Sequence, residues 1–170
     1  MGGLTLEPID IIHGDHHEPA RTPIQPVCAA GSRGRVEVFP RLAEGLDHIE
    51  GSSHLHLISL LHRAGEIAGS VAGPSPLKVI PFLDDVPRGV FATRTPVRPN
   101  PLGLTIVRLV ERRGTELDVD DVDVLDGTPL LDIKPYVEGF GLRVGTRGGW
   151  TEQVSRETFQ ASGEQRPETR

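Results

Sequence analysis

The sequence predicts a mainly β fold, a single compact β-barrel domain with short helices, and three observations carry that prediction. A chain of 170 residues with 36% apolar content supports one ordinary core and little more. Its 20 glycines and 15 prolines fall as punctuation between short apolar runs, which disfavours long helices and favours short strands joined by shaped turns. No alternation of strand and helix supports a doubly wound sheet, and no repeat of domain-building period is present.

The elements follow in order. Val36 and Val38, flanked by Arg35, Glu37 and Phe39, read as a half-exposed strand ended by Pro40. Arg41 to Ile49 reads as a short helix weakened by Gly45. His54 to His62 is a mostly apolar run without turn residues and reads as a buried strand, although its periodicity also fits a helix. Gly89 to Arg94 is a further strand, and Leu104 to Val110 a stronger one, rich in β-branched residues. Arg112 to Thr115 reads as a hairpin turn. The return strand, Leu117 to Leu125, alternates Leu and Val with Asp but slips phase at Asp120-Asp121, which predicts a bulge there. The domain is expected to span residues 5–150, and the polar stretch 151–170 is expected to be a flexible tail.

Charge narrows the function. Eighteen Lys+Arg against 24 Asp+Glu leave a formal charge of −6, which argues against a globally basic nucleic-acid coat but leaves room for a local basic patch. Only Lys78 and Lys134 are lysines. The arginine bias suits bidentate contact with carboxylate or phosphate, and a GC-rich gene would produce it equally. With 4% aromatics, one Trp and one Tyr, an extended wall of base-stacking rings is excluded. The single cysteine, Cys28, forms no internal disulfide, so a reducing cytoplasm is the expected location. No apolar run reaches membrane-spanning length, the N-terminus lacks the layout of a secretion signal, and Leu6 stands where a myristoylation signal requires Ser or Thr.

Several chemistries are missing. No GxGxxG follows a strand, no GxxxxGK[ST] is present, and no GxSxG is present. Cys28 lies among Val27, Ala29 and Ala30 without a nearby histidine, so no nucleophile is suggested. His13, Asp15, His16 and His17 cluster within five residues, and His54 and His56 would share a strand face. Neither group completes a diagnostic ligand set, so a solvated His-rich loop and a half-buried strand edge are favoured over metal.

Two stretches carry more information. In Pro87 to Gly103 (PRGVFATRTPVRPNPLG), Pro87, Pro96, Pro99 and Pro101 surround Arg94, Arg98 and Asn100. Prolines fix φ and restrict the preceding residue, so such a loop loses little entropy on folding. It reads equally as a rigid holder of a ligand carboxylate or phosphate and as a stiffened turn with surface arginines. In Leu125 to Tyr136 (LDGTPLLDIKPY), Asp126-Gly127 is a turn. Asp132, Lys134 and Tyr136 then alternate onto one face and Leu131 and Ile133 onto the other, unless Pro135 bends the run. That face offers a carboxylate, an ammonium and the only phenol; an edge strand with polar residues outward is the plainer reading.

Together these stretches closely resemble the TsaA-like (TrmO) family, whose hallmarks are a GVFATR…RPNP-[IL]-G-[LM] loop and a DGTP-x-[LIV]-DIKPY strand. Glu7-Pro8-Ile9, Thr22 to Pro26 and Gly45 to Ala64 are similar to further family segments, so the resemblance covers roughly Leu6 to Trp150. It implies a β-barrel that binds S-adenosylmethionine outside the Rossmann class and pairs as a homodimer. The implied reaction is methyl transfer to N6 of N6-threonylcarbamoyladenosine, at position 37 beside the tRNA anticodon. The implied cofactor residues are Gln25, Pro26, His62, Arg63, Arg94, Leu104, Leu125, Asp126, Gly127 and Thr128. Arg94 would meet the methionyl carboxylate, Asp126 the ribose hydroxyls or amino group, and Leu104 the adenine. For the acceptor, Asp132 would take the N6–H, Tyr136 would stack on or bond the base, and Lys134 would meet a phosphate or the threonyl carboxylate. Such a transfer mainly requires the nitrogen held about 3–3.5 Å from the methyl, with water excluded. No metal is implied.

The chain departs from the family pattern at Ser52 and at Ser59-Leu60-Leu61, where relatives carry aromatics, and it is expected to lack the C-terminal extension of longer bacterial members. Two other functions therefore stand beside the first: a same-fold methyltransferase acting on a small molecule or other nucleobase, and a non-catalytic S-adenosylmethionine-binding module. Clustering of Arg88, Arg94, Arg98, Arg112, Arg113 and Lys134 around the cofactor mouth would favour tRNA.

Overall fold

Antiparallel pairing organises the whole chain in the computed structural model, which describes Gly3 and residues 5–23, 25–67, 76–155 and 158. In chain order the strands are β1 (Asp10–Gly14), β2 (Arg33–Glu37), β3 (His54–Leu60), β4 (Lys78–Val79), β5 (Arg88–Gly89), β6 (Leu102–Arg113), β7 (Glu116–Asp120) and β8 (Thr128–Pro135). Two single-turn helices, α1 (Ala64–Ile67) and α2 (Glu138–Gly141), and several 3-10 turns connect them. Six strands close a barrel in the order β1-β2-β7-β6-β3-β8, with β8 returning to pair with β1. The predicted mainly β barrel is the fold observed.

Alternation explains the interior. Along β3, Leu55, Leu57 and Ser59 are buried while His54, His56 and Ile58 face outward. The core joins Leu55 and Leu57 to Val107 of β6, Leu117 and Val119 of β7, Val36 of β2 and Ile12 of β1. A six-stranded barrel has a narrow lumen, and branched side chains of modest size fill it. Leu46, from the 3-10 helix Pro40–Leu46, joins the same cluster. Close approach forces glycine at Gly34, where a Cβ would stand 2.6 Å from Val122 Cγ2 and 2.9 Å from the His13 carbonyl oxygen.

Four expectations need correction. Arg41 to Ile49 is not one helix: Pro40 starts a 3-10 helix that ends at Leu46, and His48, at φ 67°, breaks the chain before a second turn at Ile49–Gly51. Gly89 to Arg94 is not a strand. Only Arg88–Gly89 pair, with Lys78–Val79, and Val90–Ala92 then coil because the Thr93 amide and hydroxyl both donate to the Val90 carbonyl. The hairpin turn is tighter than predicted. Arg112 and Arg113 remain in β6, and Arg113 pairs with Glu116 across Gly114-Thr115, where Gly114 takes φ 64°. The bulge lies on β6, between Leu109 and Glu111, while Asp121 leaves the sheet at φ 70°.

Of the expected tail, residues 151–153 complete the 3-10 turn Gly149–Gln153, and residues 156–157 and 159–170 lie outside the described residues. No helix among the described residues is long and apolar enough to cross a membrane.

Candidate active site

The outer wall of the barrel is unusual where β3 and β6 meet. Leu102, Leu104 and Ile106 point outward from β6 and remain exposed, where an antiparallel strand facing water ordinarily carries polar residues. The proline-rich segment between β5 and β6 stands over this wall. Val90 and Val97 are buried and pin it down. The Val97 amide donates to Thr95 Oγ1 at 3.3 Å, and the Trp150 indole N–H donates to the Ala92 carbonyl at 2.8 Å. Wall and segment enclose a groove of about 1590 Å³, larger than an ordinary small-ligand site.

The groove gathers most of the residues expected at a cofactor site. Gln25, His62, Arg63, Arg94, Leu104, Leu125 and Thr128 all line it. Pro26 opens the neighbouring 3-10 turn Pro26–Cys28. Arg63 holds Glu66 with two bonds of 2.8 and 2.6 Å and donates to the His17 carbonyl at 3.0 Å. That bonding keeps the Glu66 carboxyl below its ordinary range. Arg94 Nη2 donates to the Leu104 carbonyl at 3.0 Å, joining two of the expected residues directly. Arg98 lines the groove as well, with its guanidinium directed at the Thr93 and Thr95 carbonyls.

Asp126 and Gly127 take a different position. Gly127 makes the turn at φ 79° and donates its amide to the Ile12 carbonyl at 2.9 Å. The Asp126 carboxylate is directed at β1, accepting from the Gly14 amide at 3.2 Å and lying 3.2 Å from His13 Nδ1. It lines a separate, shallower concavity with His13, Gly14 and Arg33. The His-rich loop thus braces this turn, and among the described residues no three His, Cys, Asp or Glu side chains converge on a metal-sized site.

The expected acceptor residues lie one strand away from the groove. A register shift opposite Ile58 and Ser59 leaves Leu131 as the extra residue of β8, and Ile133 then packs against the core. Asp132 and Lys134 share the outer face and pair at 2.6 Å, as the alternation predicted. Beyond Pro135, the Tyr136 amide donates to the His54 carbonyl at 2.9 Å, which holds the phenol beside β3. None of the three lines the groove itself. His56 connects the two regions: it lines the groove, stands opposite Lys134 in the ladder, and meets the Tyr136 ring edge-on. Its Nδ1 is buried without a hydrogen-bond partner among the described residues.

Sequence reasoning weighed His56 only beside His54 as a possible metal ligand, and it missed Asp123. Asp123 lines the groove, where it accepts a hydrogen bond from the Thr105 hydroxyl. Burial raises its pKa to about 6, against the opposing pull of that bond and of the Arg94 charge. The one available signal was its place three residues before the Asp-Gly turn.

The six cations set out as a test of nucleic-acid contact do not gather at the groove. Arg94 and Arg98 line it. Arg88 is held by Asp84, Arg112 by Glu50, Arg113 by Asp118 and Lys134 by Asp132.

A closed antiparallel barrel with an apolar groove on its outer wall, floored by a guanidinium and a carboxylate, defines a small-ligand-binding barrel outside the Rossmann class. The family model for the tRNA-methyltransferase O N-terminal domain matches residues 11–141, and the chain belongs to that family. It is 51% identical over 150 residues to a probable S-adenosyl-L-methionine-binding protein of Pyrococcus abyssi, covering 88% of this chain and 77% of that one. It is 33% identical to the tRNA (adenine(37)-N6)-methyltransferase of Mus musculus, covering 82% of this chain and 32% of that protein. The crystal structure of TrmO from P. aeruginosa superposes with a TM-score of 0.71 at 33% identity, over 91% of this chain and 64% of that one. The chain therefore spans about a third of the mouse protein and under two thirds of the TrmO chain.

Proposed function

We propose that residues 5–150 form the methyl-transferring unit of an S-adenosylmethionine-dependent tRNA adenine-N6 methyltransferase, and that its acceptor is N6-threonylcarbamoyladenosine at position 37. One observation carries this reading: an apolar groove lined by Arg94, Leu104, Leu125 and Thr128 adjoins, through His56, a face bearing Asp132, Lys134 and Tyr136. The names of the mouse methyltransferase and the Pyrococcus cofactor-binding protein support the same chemistry.

The groove suits the cofactor. Its volume exceeds what a nucleoside-sized ligand needs, and its wall supplies apolar surface at Leu104 and Ile106 beside a guanidinium at Arg94. When bound, S-adenosylmethionine supplies an electrophilic methyl group. The protein's part is placement: Arg94 receives a carboxylate, Leu104 flanks a purine, and the buried Val90 and Val97 keep the overlying segment rigid. On the acceptor side Asp132 accepts the N6–H and Tyr136 presents its ring to the base. Lys134, already paired with Asp132, sets the direction of that carboxylate.

We further propose a cytoplasmic homodimer. Support for pairing comes from the segment after β8, where Phe140 is 81% and Val144 86% exposed. Sedimentation of the wild type as a dimer, and of Phe140→Asp as a monomer, is the expected result; a monomeric wild type removes the proposal.

A second reading, a same-fold methyltransferase acting on a smaller acceptor, is favoured by the neutralised state of Arg88, Arg112, Arg113 and Lys134. Mass spectrometry of anticodon-loop nucleosides from a strain lacking the gene separates the readings. Loss of the methylated threonylcarbamoyladenosine supports the tRNA substrate, and an unchanged level overturns it.

A further inference from the structure

A carboxylate set in the wall of an apolar groove carries a desolvation cost that a neighbouring cation ordinarily offsets. Asp123 has only part of that compensation. Its side chain accepts from the Thr105 hydroxyl through Oδ1, and Arg94 acts on it through space. Arg94 instead spends a guanidinium N–H on the carbonyl of Leu104, the residue before Thr105. Consecutive residues of β6 therefore anchor a cation and an anion that line the same groove and are not hydrogen-bonded to each other.

Such a couple complements a zwitterion. The carboxylate and ammonium of an α-amino acid share one carbon, so a ligand whose carboxylate meets Arg94 brings its ammonium to the neighbouring anion. We propose that Arg94 and Asp123 form a clamp for the α-amino-acid end of the cofactor, with Asp123 receiving the ammonium. This rests on the reading of the groove as an S-adenosylmethionine site. The ammonium is preferred to the sulfonium because it carries three N–H donors and the sulfonium carries none, while Asp123 Oδ2 is open to accept. The clamp also accounts for a charged residue in a wall where Leu104 and Ile106 are otherwise apolar.

The test is calorimetric binding of three ligands to the full chain and to Asp123→Asn at pH 8. S-adenosylmethionine carries the amino-acid end and the sulfonium charge, S-adenosylhomocysteine only the amino-acid end, and 5′-methylthioadenosine neither. The expected result is a loss on the order of ten- to a hundredfold for the first two, with the third changed less than about twofold. Thr105→Val, which releases the carboxylate from its fixed orientation, should show the same selectivity with a smaller loss. Weakening of S-adenosylmethionine alone would assign Asp123 to the sulfonium and overturn the clamp. Equal weakening of all three would make Asp123 structural, and no weakening would remove it from the site. A wild-type chain that binds none of the three overturns the cofactor reading, and the clamp with it.

Discussion

The imidazole of His56 meets the phenol ring of Tyr136 edge-on, with centroids 5.4 Å apart and planes inclined at 64°. The contact crosses from β3 to the end of β8, and His54 approaches the same ring at 6.4 Å. Edge contacts of this kind contribute about 0.5–1.5 kcal/mol beyond simple burial. His56→Ala should therefore lower methyl transfer about tenfold by loosening Tyr136, and His56→Phe should restore most of the rate. Steady-state kinetics with paired cofactor titrations reads this; a His56→Ala enzyme of normal turnover would show that the contact does not position the phenol.

Asp132 and Lys134 pair on an exposed face, where ion pairs contribute little to folding. Asp132→Asn and Tyr136→Phe should each abolish transfer and leave cofactor affinity within about threefold, with melting temperatures unchanged. Loss of cofactor binding in either variant would move that residue into the cofactor site.

The Asp123 carboxyl gives the fold a pH dependence of unusual sign. Its pKa is raised from 3.8 to about 6, chiefly by burial, with Arg94 and Thr105 opposing. The protonated form is thus favoured by folding. Its stabilising contribution is complete below pH 3.8 and disappears as pH rises through about 6. Asp123→Asn, which stays neutral, should be more stable than wild type at pH 8 by up to about 3 kcal/mol and equal to it near pH 3.5. Urea melts at the two pH values measure the difference. Equal stability at pH 8 would mean that the groove hydrates the carboxylate fully.

Gly34→Ala should destabilise the barrel by about 2–3 kcal/mol, because the new methyl meets Val122 Cγ2 and an immovable backbone oxygen of His13. Gly45→Ala, where a Cβ meets open space, is the control and should change stability by less than about 1 kcal/mol. Thermal melts that fail to separate the two variants would show that β1 and β2 yield at that point.

The strands and the two marked loops were legible because their causes are local. Prolines around Arg94 and Arg98 encode a rigid segment, and Asp126-Gly127 encodes a turn at φ 79°. Two kinds of information were not local. Val90 and Phe91 have strand-forming side chains, yet the Thr93 and Thr95 hydroxyls bond the backbone and coil the segment. Asp123 was hidden more deeply. In the run from Leu117 to Leu125 the aspartates alternate outward until Asp121, whose φ of 70° resets the phase, helped by a bond from the Gly31 amide at 2.8 Å. A left-handed aspartate cannot be told from its neighbours in a row of aspartates, so the placement of Asp123 in the groove is visible only in three dimensions. His56 was noticed as a partner of His54 on a strand face, but its tie to Tyr136 depends on β3 and β8 being neighbours.

The seam between β1 and β8 has a consequence for biosynthesis. Residue 10 stands opposite residue 130, so β1 has to wait for β8 before the cylinder can shut. Leu125 to Thr128 arrive with β8, and Gly127 and Thr128 are held by Ile12 of β1. A nascent chain that stops short of them has an open sheet with two raw edges and a groove that lacks part of its lining. Closure of the barrel and completion of the groove lining at Leu125 and Thr128 are then coupled.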